Sequence, residues 1–517
     1  MKLPQIAYNI QKNQQEMVQM RSINFSDALT DGDLADSLNL SARRHPYITA
    51  RRKRVQKTGT AYTNATAMTA WRELVTVVGT TLYYNGTAIS GSVTAGEKQF
   101  AVVNTKLVIW PDKKYLDLQT LTLNDMGAST SGAGTTTFAN NDSESSITVT
   151  RSVDFTSIFN VGDTVEISGC SNAANNKSAT IKGIAAKKLT FTSGVFTAAS
   201  ETGTITIERK IPDMDFICES ENRLWGCSST AQTIYASALG DPTNFYTYEG
   251  VSTDAYAVAV GTEGDFTGCC KLSSSVLFWK ETVLHKMLGS YPAEYSMYTY
   301  NMEGLRAGCH KSLQVINETL YYVGLHGVYA YSGGTPSLIS ANFGEHIFTD
   351  AIAGNDGDTY FLSVLEGTNS FFFLYETTRN LWVLEDTIRI KDFARISEDL
   401  YFLASDGSVW QHDGGEEDPD VDWLAQFTPF YETIQGRKTY SKMLIRTQLP
   451  KGSYLIAQVR TDNKPWQEVG RIYGADEDVS TMRIGLNRCD KFEIRLSGHG
   501  PFAILSILRE FSLGSDV

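Results

Sequence analysis

Asn317 to Gly334 reads NETLYYVGLHGVYAYSGG, and its plan returns at Glu398 to Gly415 as EDLYFLASDGSVWQHDGG. In each copy an apolar-aromatic run (Leu320-Tyr321-Tyr322; Leu400-Tyr401-Phe402) leads into a turn at Gly327 or Gly407. A second aromatic run follows, and a Gly-Gly pair closes the unit. β-Branched and aromatic residues between Gly, Asp and Asn turns are the grammar of a β-hairpin. A third copy, TYFLSVLEGTNSFFFLYETTRNLWVLED, lies between the two and contains Tyr360. The unit therefore recurs about every 40 residues, the period of a four-stranded propeller blade.

Working outward, similar runs occur at Leu277, Leu224, Leu107 and Leu82. The interval from Leu107 to Leu224 is nearly three periods, and it returns to one only when Ser131 to Ile207 is taken out as an insertion. A hairpin cannot bury its apolar faces alone, whereas sheets stacked radially bury them and leave short protected edges. The sequence thus predicts an all-β fold: a β-propeller of about six to seven blades, with an inserted small β-barrel and a C-terminal β-sandwich. Residues 1–60 read as an N-terminal docking arm whose end enters the first blade. The first blades follow at 61–130, the insert at 131–207, the remaining blades at 208–424 and the sandwich at 425–517. The insert is expected because Val161 to Gly169 alternates apolar and polar residues. The sandwich is expected because Lys491 to Ser497 does the same.

At 517 residues the chain is too long for one core. No run of eighteen apolar residues occurs, so no membrane insertion is expected. The first fifteen residues carry no apolar stretch of a signal peptide, which implies synthesis and folding in a cytoplasm. Seven scattered cysteines with no CxxC spacing signal neither zinc nor a disulfide framework.

A net charge of −13 argues against tight binding of duplex DNA, which needs phosphates neutralised by Lys and Arg. The charge is uneven. Arg43, Arg44, Arg51, Arg52 and Arg54 form a basic cluster, and Glu416, Glu417, Asp418, Asp420 and Asp422 form an acidic one after the last hairpin. Each is either a solvated face or a docking surface of a self-assembling protein.

No catalytic constellation is found: there is no GxSxG, HExxH, P-loop or GxGxxG. Asp27, Asp31, Asp33 and Asp36 lack the closing Glu of an EF-hand and read as turn and cap residues. Asp241, Asp254 and Asp358 are candidate carboxylates for a propeller glycosidase, but sequence does not place them. No enzyme activity, cofactor or metal site is expected.

Three segments resemble one family. Asn39 to Thr49 (NLSARRHPYIT) resembles the arm of bacteriophage structural proteins described as DNA-stabilisation or tail proteins. Asn222 to Cys227 with Ile234 to Phe245 is similar to that family's long motif, and Arg488 to Phe492 with Leu496 to Gly500 to its closing one. The resemblance implies a tail-nozzle subunit of a short-tailed phage. Such a subunit forms a homo-oligomeric, hexameric ring below the portal and adaptor, located in the virion after synthesis in the host cytoplasm. Its partners would be itself, the head-to-tail connector, other tail proteins, and genomic DNA that passes without tight binding. The alternative is a receptor- or glycan-binding propeller on the tail, with Trp and Tyr on loops stacking on sugar rings. A propeller hydrolase stands third.

Overall fold

A computed structural model describes residues 12–432, 434, 436–474, 477–484 and 488–513. The arm's first eleven residues, where a signal peptide was sought, lie outside the described residues. The fold is an all-β propeller whose blades, among the described residues, are seven four-stranded antiparallel sheets. The chain divides into two compact units, Val75–His310 and the remainder, Met1–Leu74 with Lys311–Val517.

The first of these units holds blade 2 (99–125), blade 3 (216–259), blade 4 (268–301) and the insert. Blades 2 and 3 bury Val103, Val108, Trp110, Leu224 and Phe245 together, and blades 3 and 4 bury Trp225, Ile234, Val276 and Phe278. Each such side chain removed from water contributes about 1.5–3 kcal/mol, which is why hairpins too small to fold alone are stable side by side. The second unit holds blade 5 (314–338), blade 6 (349–386) and blade 7 (390–411). The chain passes from one unit to the other inside blade 1 (65–88).

The opening stretch explains a blade in miniature. Asn317 and Glu318 both have positive φ (47° and 62°), the requirement of a two-residue hairpin turn whose twist matches its strands. Strand Thr319–Val323 then pairs with Val328–Tyr331, placing Tyr322 opposite Tyr329 with their rings stacked at 5.7 Å. A Cβ on Gly327 would sit 2.5 Å from the Ser340 hydroxyl, which accepts a hydrogen bond from the Val328 amide.

Two details of the sequence reading are corrected. Leu82 lies on the third strand of blade 1, Thr81–Tyr84, whereas the equivalent of Leu320 is Leu74 on the second, Glu73–Val78. The end of the arm does not enter the first blade. Val55–Gln56 pairs with Val409–Gln411 and supplies blade 7 with its fourth strand. A blade with only three strands of its own leaves an edge open to any strand that can reach it.

Two further sheets follow blade 7 in the chain. Asp422–Phe427, Phe492–His499, Tyr454–Thr461 and Gln467–Tyr473 form one, and Lys438–Gln448, Glu477–Arg483 and Ala503–Leu513 belong to the other. Arm segments join both: Leu34–Leu38 pairs with Asp422–Phe427, while Lys12–Met17 and Ile48–Ala50 pair with Ala503–Leu513. Among the described residues no helix is long and apolar enough to cross a membrane.

The insert has its own core, built on Phe138, Ile147, Phe155, Val165 and Phe191. It meets blade 3 through polar contacts: Asn244 and Thr247 donate to the Gly162 carbonyl at 3.0 Å, and Lys182 pairs with Glu249. Gly132 and Ile205 are cross-strand partners, so residues 133–204 can be replaced by a tight turn. Arg209 is changed to Ser alongside, because its buried partner Asp163 (2.6 Å) leaves with the insert. The shortened chain is expected to keep its β-rich circular dichroism and a cooperative melt lowered by a few degrees. Loss of folded protein would show that the insert is part of the blade core.

Candidate functional site

The basic and acidic runs meet within one chain. Arg43 and Arg52 converge on Asp413, at 2.6 and 3.5 Å, and Arg51 pairs with Asp418 at 3.1 Å. Arg51 also donates through Nε to Asn39 Oδ1 at 2.7 Å. The Lys53 amide donates to the Glu416 carbonyl, and Arg52 bridges to Glu417 in antiparallel fashion. Arg44 points elsewhere and donates to Gln448 at 3.1 Å. On the acidic side, Asp420 donates its amide to Asp418, while Asp422 opens a strand of the first C-terminal sheet and holds His499 at 2.8 Å. Most of the residues singled out by charge therefore form one zipper that fastens residues 43–54 to the segment after blade 7.

Arg54 is the exception to a surface reading. Its guanidinium is buried between the rings of Phe372 and Phe402, at 5.7 and 5.3 Å, and pairs with Glu385 and with Asp386 (2.7 Å). Glu385 in turn accepts from His412 Nε2 at 3.1 Å to each oxygen. Burial works against the Glu385 charge, but His412 and Arg54 outweigh it and hold the carboxyl down at about 2. Burial likewise opposes the Arg54 charge, and Glu385 and Asp386 raise its pKa in spite of it. Burial lowers that of Arg51, helped by the nearby charge of Arg54. Sequence reasoning missed Glu385 and His412. The one signal was a carboxylate ending the apolar run Leu381-Trp382-Val383-Leu384, in a strand buried on both faces.

Between the arm and blade 6 lies a cleft of about 470 Å³, walled by Ser41 to Arg44, Arg51 and Arg52 on one side and by Asp356, Asp358, Phe361 and Arg379 on the other. A second hollow of about 650 Å³ adjoins it at blade 7, reaching Arg395, Asp399 and Gln411. The two share Arg43, Arg52, Asp358, His412 and Asp413. Gly357 (φ +113°) lines the second hollow under the Arg395 guanidinium: a Cβ there would lie 3.3 Å from Arg395 Nη2.

Of the three candidate carboxylates, only Asp358 faces this cleft. Asp254 is buried and accepts three amides, from Glu249, Gly250 and Val251, which makes it the pin of a turn. Asp241 caps Thr243 and pairs with Lys106 at 3.2 Å. Among the described residues no group of three His, Cys, Asp or Glu is placed to hold a metal ion.

The three segments singled out in the sequence, Asn39 to Thr49, Asn222 to Phe245 and Arg488 to Gly500, hold loops and close packing. Arg223, 1% exposed, donates to the carbonyls of Ser237, Ser252 and Asp254. A Cβ on Gly226 would lie 2.8 Å from the Phe216 carbonyl. Asn39 donates to the Asp422 carbonyl at 2.7 Å.

No family model matches the sequence, and no curated protein matches it. Among solved structures the chain is similar to an exo-β-1,3-galactanase of Phanerochaete chrysosporium with galactose, at 8% identity over 56% of this chain and 92% of that one, TM-score 0.22. It is also similar to Hsv2 of Kluyvelomyces marxianus, at 9% identity over 66% of this chain and 99% of that one, TM-score 0.27. Likenesses this faint say nothing of substrate or partner. One expectation is nonetheless corrected. The sequence reading takes the lack of a catalytic motif as lack of catalysis, whereas an exo-β-1,3-galactanase stands among the similar structures. Two carboxylates that cleave a glycoside are brought together by the fold and need no linear motif, so the exclusion is withdrawn.

Proposed function

We propose that this protein is a structural subunit of a phage tail, a nozzle component that retains packaged DNA and forms part of the conduit for its ejection. The observation that carries this reading is where the resemblance falls. Asn39, Arg223, Gly226 and Gly498 lie in the three resembling segments, and each is held by backbone packing or by bonds to backbone carbonyls. Likeness at such positions implies a shared architecture, which is what a ring-building subunit must share. The charge of −13 supports a conduit, since like charge keeps duplex DNA from adhering to a wall.

The test is genome content. Particles assembled without the protein are expected to package DNA and then lose it, with retention restored by adding the purified chain. DNA-filled particles that are stable but fail to adsorb to cells would overturn this reading. They would favour the second one, a glycan- or receptor-binding propeller. That alternative is favoured by exposed aromatics, Tyr298 and Tyr300 on the outer strand of blade 4 and Tyr473 at 68% exposure, and by the polar cleft beneath the arm.

A further inference from the structure

His412 is 7% exposed and its Nε2 is committed to Glu385. Glu385 is itself fixed by Arg54, so the imidazole cannot turn. A carboxylate that holds one ring nitrogen sets the tautomer and presents the other as an acceptor in the neutral ring. That other nitrogen, Nδ1, has no hydrogen-bond partner among the described residues. The ring stands on the wall of both hollows, with Phe361 edge-on at 4.8 Å.

On the lining of the same cleft, the Asp358 carboxylate is exposed and accepts no hydrogen bond from any described residue; only its backbone is engaged. Arg43 and Arg52 supply guanidinium donors above Asp413. Taken round the first hollow, five arginines (43, 44, 51, 52, 379) meet five carboxylates (356, 358, 376, 385, 413). The lining has no net sign, which disfavours a phosphate or polyanion. It offers an imidazole nitrogen, a carboxylate, guanidinium donors and an aromatic ring, the mixture that vicinal hydroxyls use. A volume of about 470 Å³ falls in the range of small-ligand sites.

We propose that the cleft between the arm and blade 6 binds a neutral saccharide, its hydroxyls held by His412 Nδ1, Asp358 and Arg52. The proposal rests on the glycan-binding reading above and assigns that reading its site. The guanidinium–carboxylate zipper then has a second role, since Arg43 and Arg52 both fasten the arm and form the roof over the sugar.

The experiment is saturation-transfer NMR on the full chain with a panel of neutral hexoses, deoxyhexoses, N-acetylhexosamines and their disaccharides. At least one member is expected to bind. Asp358→Asn, at an exposed position, is expected to leave the melt unchanged and weaken binding by about tenfold or more, the effect of losing a charged hydrogen-bond partner. His412→Gln, which can still donate to Glu385, should weaken it similarly. Binding that survives Asp358→Asn at full strength would overturn this site while leaving the glycan reading standing on another surface. No binding by any member of the panel would overturn both.

Discussion

Replacing Arg54 by alanine is expected to cost about 3–5 kcal/mol of folding stability at neutral pH, the cost of leaving one partner of a buried ion pair alone. The change strands Glu385, which is 1% exposed and would keep only His412 as a partner. It also removes a guanidinium packed between Phe372 and Phe402, so part of the loss is packing. Acid should reveal the mechanism. Glu385 is held at about 2 against an ordinary 4.5, a depression worth roughly 3 kcal/mol. That contribution is fully present above pH 4.5 and is lost as pH falls from there towards 2. Wild type and Arg54→Ala should therefore differ most in denaturant midpoint at pH 7 and converge between pH 4.5 and 2. Equal midpoints at pH 7 would mean that Arg54 is solvated and fastens nothing. Docking through the basic run must accordingly be tested away from Arg54. Reversal at Arg44 or Arg52, both exposed, spares the buried pair, whereas reversal across Arg51, Arg52 and Arg54 would unfold what it is meant to probe.

The blades were legible because a blade is written locally. Leu107, Leu224, Leu277, Leu320 and Leu400 each fall on the second strand of a sheet, and the turns before them carry Asn or Ser at positive φ. Blade 1 misled for the same reason: Leu82-Tyr83-Tyr84 imitates the pattern on a third strand, while the true second strand, ELVTVV, lacks aromatics. The insert was legible as a break in period. What sequence did not disclose is pairing at long range. The opposite charges of Arg51 and Asp418 were plain, but nothing local says that residues so far apart will meet, or that Val55 will complete blade 7. The cleft was harder still. His412 and Glu385 sit among aromatic strand residues, and only the register of blades 6 and 7 brings them together beneath the arm.

Gly498→Ala should be nearly as damaging as the loss of Arg54, for a reason that has nothing to do with charge. Gly498 lies within strand Phe492–His499, opposite Trp423 on one neighbour and Leu455 on the other. A Cβ there would stand 2.1 Å from the Tyr454 carbonyl oxygen and 2.5 Å from the Trp423 ring. Neither can retreat cheaply. The carbonyl belongs to a strand hydrogen-bonded along its length, and the indole is pinned against Phe502 with centroids 3.6 Å apart. Overpacking of this kind costs about 3 kcal/mol, and more when backbone must move. Trimming Trp423 to leucine in the Gly498→Ala background should restore only part of the loss, because the clash with the carbonyl remains. Ser497→Ala, next door and half-exposed, should fall within about 0.5 kcal/mol of wild type. Denaturant midpoints of the three variants decide the matter, and a Gly498→Ala chain as stable as Ser497→Ala would refute this packing. Gly498 also belongs to one of the three segments on which the proposed tail-protein reading rests. Its intolerance of a single methyl group would mean that the glycine there marks an obligatory close approach of strand and ring, a constraint that any chain built on this sheet has to meet.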